Sequence, residues 1–355
     1  MTRRAVAIGT VEKYPTRADA LKASDHMRLT ANPENPAGRP ISFGTLIGRY
    51  RAEELPDRHS TRLAYTSYLD THIEPKWGNY PLGKMVERGA PFSIEEWLTT
   101  LKSPETKKRL AAKTMGNIRN VMTLIFNCAM RWGLLETGSS PMPLVRVKGV
   151  SKRQDEPRIL TLDEMRRLLK ELSEPFRTMV VLAMVTGLRS SEAFALQWRD
   201  IEWENLTLLV RRAIVDGVVG EVKTKYSKAG MPLDPALAEI LIHWRHESKF
   251  QRPEDWVFAS WRTNGVLPFR STAVLEDHIK PAAARAGLGL GIGWHTFRHT
   301  YSTMLRQLGV DLKVQQELLR HADIRTTMNV YTQAVSEDKR SAHSKVVRMV
   351  LATGT

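Results

Sequence analysis

Residues 318–333 read LLRHADIRTTMNVYTQ. A buried structural segment carries apolar residues at three- and four-residue steps. Here they are sparse: Leu318, Leu319, Ile324, Met328 and Val330. His321 follows ELLR, so it falls at the end of a helix, and the polar ADIRTT leads to Tyr331 on a following short helix. Groups that can hold an anion crowd the rest. A tyrosine taken singly is most often a half-buried core residue. Whether Tyr331 is more than that depends on what the remaining chain brings to it.

The chain has 355 residues, too long for one ordinary domain and suited to two with a tail. Its charge is strongly basic, with 53 Lys+Arg against 38 Asp+Glu, a net of +15. The excess is spread: 23 against 14 over residues 1–150, and 30 against 24 over 151–355. Both halves therefore face something anionic, and nucleic acid is the commonest such partner. Cys128 is the only cysteine, which excludes a disulfide framework and a thiolate zinc cluster and fits a reducing cytoplasm. No apolar run reaches the roughly 20 residues that cross a bilayer, and the N-terminal MTRRAVAIGT lacks a signal peptide's apolar core, so no membrane partner is expected.

Periodicity divides the chain. Residues 1–40, ending in Pro33, Pro36 and Pro40, read as an appendage, either poorly ordered or an accessory DNA-binding piece. Residues 41–145 form an all-helical domain of four or five helices, with Ser60 and Ser93 as candidate N-caps, the latter boxed with Glu96. Periodicity breaks over 137–157, and 146–157 is the linker. A second domain spans 158–355, with a tail from about 335. It opens with Thr161 capping a helix and Glu164 completing the box; a further helix stops at Gly187. LTLLVRRAIV, GVVGEVKT and AGMPL predict a small antiparallel sheet, and helical patterns resume at 235–249, 271–286, 295–308 and 311–320. The expected fold is mainly α with a small antiparallel β-sheet: an N-terminal helical domain plus an α+β domain.

Three more stretches carry unusual polar chemistry. In VTGLRSSEAFALQW (185–198), Arg189 sits at a helix junction, near free N–H groups that suit an anion, and Glu192 can hold its guanidinium. A plain surface Arg–Glu pair is the other reading. In WHTFRHTYSTML (294–305), His295 and Arg298 share a helix face, with Phe297, Tyr301 and Met304 marking an apolar one. His295 with His299 has metal-pair spacing, but no following Glu and no third ligand, so no metal is expected. In VKTKYSKAGMPL (222–233), Lys223, Lys225 and Lys228 surround a hairpin turn, where lysines are usually just solvated. Together these supply arginines, histidines, a lysine and a tyrosine, with no clustered carboxylates. That inventory fits metal-free attack of a tyrosine on a phosphodiester. Arginines would stabilise charge spreading over the non-bridging oxygens. A phenol, with a reference pKa of about 10, needs a nearby proton acceptor, and the leaving oxygen needs a donor.

TGLRSSEAFAL, KTKYSKAGMPL, HTFRHTYSTML and LLRHADIRTTMNVYTQ, in this order over about 186–333, resemble the motifs of the tyrosine recombinases, the phage-integrase family of site-specific DNA recombinases. The resemblance implies a helical core-binding domain over 41–145 and a catalytic domain after it. It implies that Arg189 and Arg298 clamp the scissile phosphate, Tyr331 attacks it to form a 3′-phosphotyrosyl link, and Lys223 (or Lys225) protonates the leaving 5′-oxygen. His295 would take the phenol proton, His321 would bond the phosphate, and Glu192 would support Arg189. No cofactor, metal or ATP is implied. The implied partners are duplex DNA recombination sites of a mobile element, a homotetramer acting through a Holliday junction, and an accessory DNA-bending or directionality factor; the implied location is cytoplasmic, with the nucleoid. The apolar tail residues Val346, Val347, Val350 and Leu351 would pack on a neighbouring protomer. One position departs from the pattern: Arg320 stands where the family often has Gly, and can add a phosphate contact. Lys107, Lys108, Arg109, Lys113 and Arg119 lie along one predicted helical run suited to DNA phosphates, a solvated face being the alternative. Two other functions share the inventory, a type IB topoisomerase and an inactive DNA-binding regulator.

Overall fold

The structure, a computed structural model, describes residues 9–10, 12–16, 19–20, 41–150, 157–221, 230–289, 291–321, 323–325 and 328. The chain divides into two compact units, Met1–Gln154 and Asp155–Thr355, each with its own apolar core.

In the first unit, α1 (Phe43–Glu53) starts where Ser42 accepts the Thr45 N–H, and it buries Phe43, Leu46, Ile47 and Tyr50, one stripe at helical spacing. α2 (His59–Tyr68) widens into a π turn at Leu69–Ile73 and continues as α3 (Glu74–Trp77). Pro75 has no N–H to continue the ladder, and the turn widens just ahead of it. α4 (Ala90–Thr100) begins three residues before Ser93. The expected Ser93 cap is therefore wrong: its hydroxyl lies inside the helix and donates back to Gly89 O (3.4 Å). Ser60 also lies inside its helix, whose N-cap is Arg58.

The longest helix among the described residues, α5 (Ala112–Arg131), buries Ile118, Val121, Met122, Ile125 and Phe126. It does not begin early enough to carry the whole basic run. Lys107, Lys108 and Arg109 precede it in a tight turn, where the Ser103 N–H donates to Lys108 O (2.8 Å) and Lys107 has φ 57°. These three and Lys113 are exposed. Arg119 is half-buried, and its guanidinium donates to the carbonyls of Val145 (2.7 Å) and Met142 (3.0 Å). It fastens the proline-rich stretch to the core, where Met142 and Val145 are buried.

In the second unit, α6 (Leu162–Lys170) has the expected capping box of Thr161 and Glu164. α7 (Phe176–Thr186) ends at Gly187 in left-handed backbone, φ 61°. After α8 (Ser190–Ala193) the strand-rich segment makes two sheets rather than one: β1 (Ile201–Glu202), β2 (Thr207–Leu209) and β5 (Gly230–Pro232) in the order β1-β2-β5, and a separate hairpin of β3 (Arg212–Val215) and β4 (Val218–Glu221). The LTLLVRRAIV run splits between them. Val210 is sunk in the core, and the Arg212 guanidinium is drawn to the buried Asp200 carboxylate (2.7 Å). Asp216 and Gly217, both at positive φ, close the hairpin.

α9 (Pro235–Glu247) follows the Asp234 cap. α10 (Ser271–Val274) passes through a π turn at Leu275–Ile279 into α11 (Lys280–Arg285), again with the proline, Pro281, just beyond the wide turn. α12 (Trp294–Gln307) packs along α7, and α13 (Leu312–Leu318) follows it. The architecture is mainly helical with small antiparallel sheets.

Candidate active site

Four chain segments of the second unit converge at the C-terminal end of α7. Gly187 turns the chain there. Its left-handed φ suits glycine, and an added Cβ would stand 2.5 Å from Tyr301 Cδ1 on α12. Arg189, two residues on, is the N-cap of α8. Its backbone N–H donates to Glu192 Oε2 (3.0 Å) and its Nη1 to Glu192 Oε1 (3.0 Å). The Arg189 side chain keeps 34% of its surface open, while that of Glu192 keeps 5%. The expected hold of Glu192 on the guanidinium is present, but the two do not share a helix face: Arg189 is the extended N-cap and Glu192 lies in the helix. The sequence did not foretell that the carboxylate would be buried.

α12 supplies Arg298 and His295. Its first turn is pinned by Gly293 N–H to Thr296 Oγ1 (3.0 Å) and Trp294 Nε1 to Ser271 O (2.8 Å). Arg298, 6% exposed, donates from Nη1 to Gly187 O and from Nη2 to Leu319 O. Two chain turns 132 positions apart thus meet on one guanidinium, Gly187 at the end of α7 and Leu319 at the end of α13. His295 lies one turn earlier, its imidazole partly covered while part of the residue is open to solvent.

α13 ends in a Schellman turn: His321 N–H donates to Gln316 O (3.0 Å) and Arg320 N–H to Glu317 O (2.9 Å). That motif puts the residue after the helix in left-handed backbone, and Arg320 has φ 51°. This is the physical reason a glycine suits the position. The Arg320 side chain does not reach outward for a phosphate, as the sequence reading allowed. It is 2% exposed and turns inward, Nη2 donating to Glu192 Oε2 and Nη1 to Met231 Sδ (3.6 Å). His321 is buried, and Gln316 Nε2 holds its carbonyl (3.0 Å).

Two guanidiniums, Arg189 and Arg320, therefore bond to one buried carboxylate, and the Arg298 guanidinium lies close enough to feel all three charges. Burial alone would push the Glu192 carboxyl up, but Arg320 and Arg189 hold it below the usual carboxylate value. Burial, with Arg189 nearby, pulls Arg298 down to about 9, still a cation at neutral pH. Desolvation and then Arg298 and Arg189 lower His295, and the same causes bring His321 down to about 4. Both imidazoles are neutral at pH 7, able to accept a proton or a hydrogen bond. Such a cationic centre with neutral bases beside it is suited to an anion whose reaction requires proton transfer. Lys223, Lys225, Lys228 and Tyr331 lie outside the described residues, as does the tail. The sequence reading singled out Arg320 for its departure from glycine but did not foresee its contact with Glu192.

Residues 158–338 match the sequence profile of the phage integrase family. Among curated relatives, a tyrosine recombinase XerC-like protein of Caldanaerobacter subterraneus is 27% identical, over 65% of each chain. The ICEBs1 integrase of Bacillus subtilis is 26% identical over 89% of this chain and 86% of its own. Among solved structures, the Tn1549 transposon integrase bound to a circular intermediate DNA superposes with a TM-score of 0.71 at 19% identity, over 86% of this chain and 99% of that one. A lambda integrase tetramer bound to a Holliday junction gives 0.60 at 20%, over 88% and 86%. At those identities the two structures speak for the fold alone. The profile match covers the segments that build the cationic centre, and the chain belongs to the phage integrase family, the tyrosine recombinases.

Proposed function

We propose that this chain is a site-specific tyrosine recombinase that integrates or excises a mobile element, cutting and rejoining duplex DNA through a 3′-phosphotyrosyl link. The observation that carries the reading is the buried arrangement of Arg298 and Glu192 with the open Arg189, flanked by two neutral histidines. Arg189 and Arg298 bind the non-bridging oxygens of the scissile phosphate, supplying positive charge where it develops in the transition state. The Tyr331 phenolate oxygen bonds to phosphorus while the P–O5′ bond breaks. His295 takes the phenol proton, His321 bonds the phosphate, and Lys223 (or Lys225) protonates the departing 5′-oxygen. The phosphotyrosyl link conserves the bond energy, so a new 5′-hydroxyl reverses the step without ATP.

In this reading residues 41–145 are the core-binding domain, and the exposed Lys107, Lys108, Arg109 and Lys113 meet backbone phosphates. Arg119 is left out, because its guanidinium is engaged by carbonyls. Four protomers act on two duplex sites, with an accessory DNA-bending or directionality factor, in the nucleoid. Support comes from the relatives' names: an integrase and a recombinase, and, among folds of this kind, one tetramer solved on a Holliday junction.

The test is covalent trapping on nicked duplex DNA from the repeats flanking the gene. Tyr331→Phe should bind that DNA normally and form no adduct; a surviving adduct excludes Tyr331 as nucleophile. Arg189→Ala or Arg298→Ala should slow adduct formation by about a hundredfold or more. A chelator should leave the rate unchanged.

A further inference from the structure

A phosphate clamp of Arg189 and Arg298 does not need a third guanidinium, yet Arg320 is buried beside them. Two unfavourable features meet at this residue. It is a non-glycine in left-handed backbone, and its Nε is buried without a hydrogen-bond partner among the described residues. Glycine would avoid both. Strained backbone and a buried cation persist where the surroundings use them.

Glu192 shows the use. Oε1 holds the Arg189 Nη1, while Oε2 receives the Arg189 backbone N–H and Arg320 Nη2. With Oε2 occupied from two sides the carboxylate cannot rotate, and Oε1 has one place to present itself. Charge points the same way. A buried carboxylate facing a single guanidinium cancels most of its charge. A carboxylate shared between two cations cancels about half of each, and leaves Arg189 with charge to offer.

We propose that Arg320 is a positioning residue: a buried cation that locks Glu192, and through it aims the Arg189 guanidinium and keeps its charge available for the scissile phosphate. The proposal rests on the reading that Arg189 clamps that phosphate. Arg320 touches no reacting atom. Its contact with Met231 also ties the end of α13 to β5.

The experiment uses the full chain and a nicked duplex carrying the flanking-repeat junction, with adduct rate and duplex binding measured separately from about pH 5 to pH 9. Three variants are compared: Arg320→Met, which keeps bulk without charge; Arg320→Gly, which relieves the backbone; and Arg320→Lys, which keeps the charge. Met and Gly variants should form adduct about tenfold more slowly at pH 7, with binding changed less than about twofold. Their acid limb should move to higher pH, because a buried Glu192 without Arg320 protonates more readily. Lysine should restore most of the rate and the position of the limb. Adding Glu192→Gln to Arg320→Met should cost little more, since the two act as one unit.

The idea is overturned if the Met and Gly variants, melting within a few degrees of wild type, cut at the wild-type rate with an unmoved acid limb. It is equally overturned if all three variants lose rate only in proportion to lost melting temperature. A wild-type chain that forms no adduct removes the recombinase reading itself, and this proposal with it.

Discussion

Gly187 and Arg320, both in left-handed backbone, hold the chain where α7 and α13 end, and Arg298 bonds to the carbonyls of Gly187 and of Leu319, the residue before Arg320. At Gly187 the demand is double: the φ of 61° and the Tyr301 ring carbon 2.5 Å from any added Cβ. Gly187→Ala should destabilise the second unit by about 2 kcal/mol or more. It should also slow cleavage, because the carbonyl that holds Arg298 moves. Unchanged melting and cleavage would show that the turn has slack. His321 sets a pH dependence. Its folded pKa of about 4 lies below the ordinary 6.5, so between these values the unfolded chain binds the proton and the folded chain does not. Stability from this group is complete above about pH 6.5 and falls as pH drops toward 4, by up to roughly 3 kcal/mol. Melting followed from pH 7 to pH 4 should show that decline, and His321→Asn should flatten it. At this scale Arg189, Glu192, His295 and Arg298 were legible because their spacing places them on helix faces and junctions. The inward turn of Arg320 was not, because it depends on a carboxylate 128 positions away.

Among the elements, those with local causes were readable. Thr161 with Glu164 is a complete capping box, Thr161 accepting the Glu164 N–H (3.2 Å) and Glu164 accepting the Thr161 N–H (2.9 Å). Thr161→Ala should cost about 1 kcal/mol, seen as a melting temperature lower by about 2–4 °C. A loss of nothing would mean the helix start is held by packing alone. The Ser93 box had the same sequence signature and failed, because Pro91 just inside the start lets the helix begin earlier. The two π turns were not foreseen, although each stands just before a proline, Pro75 or Pro281. The single expected sheet became two, with Val210 buried in the core between β2 and β3 and Arg212 paired to the buried Asp200. Charge spacing also misled: Lys107 to Arg109 belong to a turn that precedes α5, so helical spacing does not relate them to Lys113.

At the scale of the molecule, the basic excess is the property that sequence alone delivers in full, because it does not depend on folding. Residues 1–150 carry 23 Lys+Arg against 14 Asp+Glu, and residues 151–355 carry 30 against 24, so the positive excess lies in both halves of the chain. Each phosphate neutralised releases counterions, and the logarithm of the binding constant falls against the logarithm of salt with a slope of about −0.9 per contact on duplex DNA. Six contacts shared between the units would give a slope near −5, and a loss of about a thousandfold between 50 and 200 mM salt. Lys113→Ala, which removes one exposed cation from the start of α5, should reduce the slope by about 1 and weaken binding equally on all sequences. Arg119→Ala should instead lower stability and leave the slope as it was, since its guanidinium is engaged by Met142 and Val145 carbonyls. A salt-independent binding constant, or a slope that Arg119→Ala changes and Lys113→Ala does not, would mean that the face of the first unit that meets DNA is not the one bearing the exposed lysines.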